Sequence, residues 1–263
     1  FKRGIKMIDI TKAKIEFKKF IENYDNTNNR IKVKIAHTYR VSENSLKIAQ
    51  ELNLSEEQQN LARLIGLLHD IGRFEQIKIY NTYLDSKSID HAEQGLITLF
   101  DEGHIRDFIK EDTYDKIIYK AIKNHNKYKI EECMNEIELL HSKIIRDADK
   151  LDIYHIVTTE DLKNAVNFES SNIAEEQLSQ NVYEKFLKEE LVPYENMKSN
   201  IDQMVVWIGY IYDINYKESL KIIKQNRYID KIVERVKYQD IETKKRMREI
   251  QEFANRYIGE KIK

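Results

Sequence analysis

Proline and glycine are nearly absent from this chain, with one Pro and seven Gly among 263 residues. Proline breaks helix interiors and glycine weakens them, so a chain this poor in both can run through long helices. A single cysteine, Cys133, excludes an internal disulfide and fits a reducing, cytoplasmic compartment. No apolar run approaches the roughly 18 residues that span a bilayer, so no membrane association is expected. No secretory signal is visible at the start. The chain opens on Phe1 rather than Met, and the first native residues are expected to be missing. Nor is there an excess of charge of one sign. Lys plus Arg total 44 against 45 for Asp plus Glu, a net charge of −1, which gives no global electrostatic reason for nucleic-acid binding.

What is present is helical periodicity and enough apolar residue, 41%, for a real core. Ile8, Ile15, Phe17, Phe20 and Ile21 predict a first amphipathic helix, closed by the polar run NYDNTNN. A second helix is expected over about 32–52, with Val33, Ile35, Ala36, Val41, Leu46, Ile48, Ala49 and Leu52 inward. Ser55 before Glu56, Glu57 and Gln58 reads as an N-cap, opening a helix through LARLIGLLHDIG that ends near Gly72. The stretch 74–87 reads as a loop with a short helical piece. Ser88 to His91 looks like another helix start, running to about Glu102. Thr113 can cap a helix through His125, and a long helix spans about 135–159. MVVWIGYIYDI then forms an apolar helix around Trp207, serving either as core or as a homodimer face, followed by charged helices. The basic run TKKRMRE (243–249) reads as a solvated helix face. No repeat or Pro/Gly/Ser-rich linker appears, so the expectation is an all-α single domain over 1–263.

Chemistry-bearing residues concentrate at His37 in HTYRV, His69 and Asp70 in GLLHDIGRFEQ, His91 in DHAEQG, His125 in KNHNK, and Asp149 in RDADKLDIY. Imidazole nitrogens and carboxylate oxygens together suit divalent first-row metals. Adjacent residues on a helix point about 100° apart, so His69 and Asp70 face one ion only near a helix end.

The order His37 … His69-Asp70 … Asp149, with those flanking strings, resembles the HD superfamily of metal-dependent phosphohydrolases over roughly residues 30–160. The resemblance implies an HD-domain-like helical bundle, with residues after about 165 forming a C-terminal helical extension. It also implies that one metal takes His37, His69, Asp70 and Asp149, and a second takes His91 and His125 with Asp70 bridging. One or two divalent transition ions (Mn, Fe, Ni, Co or Zn, with Mg as a further option) would then activate a shared water as nucleophile. Cationic neighbours are the candidates for phosphate: Arg40, Arg73, Lys127 and Lys150, with Asp70, Arg73 and Lys150 in catalytic roles. The expected activity is hydrolysis of a nucleotide or other small phosphorylated metabolite. Two alternatives stay open: a mixed-valent di-iron oxygenase, which a minority of HD-fold proteins are, and a nucleotide-binding signalling module without turnover. No GYP-type string accompanies the dipeptide, so cyclic-dinucleotide hydrolysis has no direct support. His104, His141 and His155 match nothing in the family pattern.

Overall fold

A computed structural model describes residues 8–160 and 172–263, and among these no strand occurs. The chain is all-helical. It divides into two compact units, with the boundary between Asp152 and Ile153. The expected start of the C-terminal extension, near residue 165, lies outside the described residues.

In the first unit, α1 (Ile10–Ile21) starts at Asp9, whose side chain accepts from the Lys12 amide. Ile8, Phe17 and Ile21 are buried, whereas Ile15, expected inward, is 52% exposed. Phe17 packs edge-on against Tyr39 and Phe74, and Phe20 and Tyr24 also meet the Phe74 ring. This aromatic cluster ties α1 to α2 (Asn29–Glu51) and α4 (Ile71–Tyr80).

The buried stripe of α2 differs from the expected one. Ala36 is exposed, and Val33, Ile35, Leu46 and Leu52 are only half-buried. Its inward residues are Ile31, His37, Thr38, Val41, Ser42, Ser45, Ile48 and Ala49. The small side chains are there because α3 (Glu56–Leu68) comes very close. A Cβ on Gly66 would lie 2.7 Å from Ser45 Oγ and 2.8 Å from Ser42 Cα.

Ser55 caps α3 as the sequence suggests, its hydroxyl accepting from the Gln58 amide. The helix stops at Leu68, however, not near Gly72, and α4 runs where a loop was expected. Gly72 lies in the first turn of α4, against α5 (His91–Leu96). A Cβ there would meet the His91 carbonyl oxygen at 2.3 Å and the Gly95 nitrogen at 2.4 Å. Glycine serves close helix packing at this position, which is why its presence misleads as a stop signal.

Asp90 caps α5, within the helix start expected at Ser88 to His91, and the helix continues as a π-helical turn over Ile97–Asp101. After α6 (Ile105–Phe108), α7 (Asp115–Asn124) begins at Tyr114 without the cap expected from Thr113. The long α8 (Glu136–Thr159) opens with a reciprocal cap: Asn135 accepts from the Glu138 amide, and Glu138 accepts from the Asn135 amide.

The second unit contains α9 (Gln180–Leu187), α10 (Asn200–Gly209), α11 (Lys217–Gln225), α12 (Tyr228–Glu234) and α13 (Ile241–Lys261). The apolar α10 is its core: Val205, Val206, Trp207 and Ile208 are all buried. Tyr154 stacks on Tyr228 and donates to the Ile208 carbonyl. In the 243–249 run, Thr243 and Met247 are buried one turn apart while Lys244, Lys245 and Arg248 face solvent. No described helix is long and apolar enough to cross a membrane.

Candidate metal centre

Asp70 lies at the junction between α3 and α4. His69 ends α3 with helical dihedrals, and Asp70 departs from them at φ −108° and ψ 18° before α4 starts. This break turns two consecutive side chains toward one place, which a continuous helix would prevent. Around Asp70 gather His37 from α2, His91 at the start of α5, His125 at the end of α7, and Asp149 from α8.

The two carboxylate oxygens of Asp70 face different partners. Oδ2 is 3.3 Å from His37 Nε2 and 3.5 Å from His69 Nε2. Oδ1 is 3.4 Å from His91 Nε2 and 3.7 Å from His125 Nε2. Asp149 Oδ1 approaches the first pair, at 3.3 Å from His37 Nε2 and 3.8 Å from His69 Nε2. The sets His37–His69–Asp70 and Asp70–His91–His125 each bring their ligand atoms within 4.8 Å of one another. The four histidines and Asp70 are buried, whereas the Asp149 side chain is 21% exposed and is the side on which the cluster meets solvent.

Every Nδ1 in the cluster is occupied. His37 Nδ1 meets Asp152 Oδ2 at 2.7 Å, and His91 Nδ1 meets Asp85 Oδ2 at 2.6 Å. The other two donate to backbone: His69 to the Gly66 carbonyl at 2.8 Å and His125 to the Ile122 carbonyl at 2.7 Å. Holding Nδ1 in this way leaves Nε2 as the coordinating atom. The buried Nε2 atoms of His37 and His69 have no hydrogen-bond partner, as expected for lone pairs reserved for an ion. The donor set and these orphaned atoms therefore fit divalent transition metals, and the buried His/Asp clusters can hold such ions.

The electrostatics agree. Burial and the nearby Lys34 both disfavour a charge on His37, yet the carboxylates of Asp149, Asp152 and Asp70 that surround the ring outweigh them and lift its pKa to about 10. A place that attracts a proton this strongly also attracts a cation. Burial lowers His69 to about 3 and His91, with help from Arg73, to about 4, keeping both rings neutral. Burial opposes ionisation of Asp70, Asp149, Asp152 and Asp85, but neighbouring cations and hydrogen bonds hold each below the ordinary carboxylate range.

Of the expected phosphate-binding cations, three lie against carboxylates behind or beside the histidines. Arg40 clasps Asp152 through Nε and Nη2, at 2.5 and 3.1 Å. Arg73 Nη1 donates to Gln76, the Tyr83 carbonyl and Asp85, while its Nε stays 3.6 Å from Asp70 Oδ1. Lys127 reaches Asp90 at 3.0 Å. Lys150 is buried on α8 beside Asp149. Sequence reasoning passed over Lys34, whose Nζ is 2.5 Å from Asp70 Oδ2 and 5.6 Å from the Tyr83 ring centre. Its position one turn before His37 was the available signal. It also passed over Asp152, one turn after Asp149 on the same helix, and Asp85, which sits in an irregular segment where periodicity says nothing.

An all-helical unit that buries four histidines around one shared aspartate defines a protein with a candidate divalent-metal centre. Residues 35–154 match the HD domain family, and this part of the chain is an HD domain. No curated protein and no solved structure matches the chain.

Proposed function

We propose that this protein is a metal-dependent phosphohydrolase that holds two ions and acts on a nucleotide or other small phosphorylated metabolite. The observation that carries the reading is the convergence of four imidazole Nε2 atoms on the two oxygens of Asp70, with every Nδ1 held elsewhere. His37, His69, Asp70 and Asp149 would hold one ion, and His91, His125 and the shared Asp70 the other. Such a pair supplies Lewis-acid polarisation of a phosphoryl oxygen and lowers the pKa of water. The chain's own residues set the rest of the site. Asp152 and Asp85 fix the His37 and His91 rings, with Arg40 and Arg73 holding those carboxylates in turn. We assign Lys34 to the phosphate oxygens, because its ammonium already reaches the Asp70 carboxylate.

The test is a panel of phosphomonoesters, phosphodiesters and nucleotides assayed with Mn(II), Fe(II), Co(II), Ni(II) or Zn(II), with and without chelator. The reading predicts release of phosphate or nucleoside monophosphate that chelation abolishes and that His37→Ala lowers by at least about a hundredfold. Metal-loaded protein that hydrolyses nothing on the panel would contradict it, and oxygen consumption by an iron-loaded sample would favour the di-iron oxygenase instead.

A further inference from the structure

The backbone of one histidine in the cluster is held differently from the others. His37 lies well inside α2, His69 ends the long apolar α3, and His91 opens α5 behind the Asp90 cap. His125 ends α7, and the chain after it runs without regular structure until α8. Helix ends open readily, so an imidazole there keeps its place only if its own turn is tied down.

That turn is tied by Arg146. Arg146, on α8, is 2% exposed, and its Nη1 donates to three carbonyls of one turn: Asn124 at 2.8 Å, His125 at 3.4 Å and Lys127 at 2.5 Å. From the other side, Asn126 Nδ2 and Lys127 Nζ reach the two Asp90 oxygens at 2.9 and 3.0 Å. Asp90 also accepts from the Ala92 and Glu93 amides that open α5, the helix whose first residue is His91. The two histidines of the second half-site are therefore joined through their backbones by one polar network. An apolar side chain at 146 would fill the volume but leave carbonyls without this donor. Arg146 also sits one turn before Asp149, so α8 offers a ligand candidate to one half-site and a brace to the other.

We propose that Arg146 is the positioning residue of the second ion: it fixes the turn carrying His125 and so sets affinity at that half-site far more than at the first. This rests on the two-ion reading above. His91 and His125, whose Nε2 atoms are 2.9 Å apart, share that half-site with only one carboxylate, Asp70. The first half-site also has Asp149 on α8, and His125 meets it only through an edge contact of its ring with His69 at 5.2 Å, so displacement of His125 weakens the second ion more than the first.

Mn(II) titration followed by EPR and elemental analysis tests this on the full chain, using Arg146→Met and Arg146→Lys. The wild type is expected to take up about two equivalents and give an exchange-coupled signal. Arg146→Met should keep the first equivalent, show the uncoupled pattern of a lone Mn(II), and retain its circular dichroism. Its second ion should bind roughly 10- to 100-fold more weakly, the usual effect of removing a partner behind a ligand. Arg146→Lys, which keeps a buried donor, should restore part of the coupling. Retention of both ions at wild-type affinity in Arg146→Met overturns the proposal, and so does loss of both together. Failure of both variants to fold would make Arg146 a core residue and overturn it equally. A wild type that never takes a second ion removes the two-ion reading itself, an outcome distinct from the others.

Discussion

The four histidines of the cluster present Nε2 to Asp70 because each Nδ1 is already engaged, two by carboxylates and two by backbone carbonyls. The two kinds of partner differ in what a mutation can remove. A backbone carbonyl survives any substitution, whereas Asp152 and Asp85 do not. Asp152→Ala is expected to weaken binding of one ion by about 10- to 100-fold in competition with a chelator, with Asp85→Ala acting on the other ion. His141 offers a test away from the cluster. Its Nε2 bonds Gln58 at 2.6 Å and its buried Nδ1 has no partner, so burial lowers its pKa to about 4. The unfolded chain, with a histidine near 6.5, binds the proton more readily. Stability from this residue is therefore complete above about pH 6.5 and is lost as pH falls from 6.5 toward 4, by up to about 3 kcal/mol. Urea midpoints of wild type and His141→Gln should converge across that window; parallel curves would contradict the assignment.

Helices were legible in the sequence where one face is apolar and a cap is present. Ser55 and the periodicity of α1, α7 and α8 gave boundaries within a few residues of those observed. The break after Leu68 was not legible, because LIGLLHDIG is continuous in apolar character and the junction comes from packing rather than from a breaker residue. The half-polar face of α2 was hidden for a related reason: Ser42 and Ser45 are buried by the close approach of Gly66, which periodicity of apolar residues does not register. The chemistry was more legible than the geometry. Histidines and aspartates carry their donor atoms in their names, but only the fold reveals that Asp85, from an irregular segment, stands behind His91. The glycines give the matching prediction. Gly72→Ala places a methyl group against backbone atoms of α5 and should cost about 1–3 kcal/mol. Gly259→Ala, in α13 with nothing within 4 Å, should instead stabilise by about 0.5 kcal/mol. Thermal melts decide both, and a Gly72→Ala variant as stable as wild type would refute the close packing of α4 on α5.

Over the whole molecule, all six candidate ligands fall in the first unit, before the boundary at Asp152. Asp70 is the one residue common to both half-sites, and it is the most economical place to test the account. The decisive measurement is elemental analysis of the full chain purified without chelators and then equilibrated with Mn(II), wild type beside Asp70→Asn. The wild type is expected to hold about two transition-metal equivalents, and a folded Asp70→Asn close to none. A wild type that takes up no metal, or an Asp70→Asn variant that keeps both ions, would contradict that expectation.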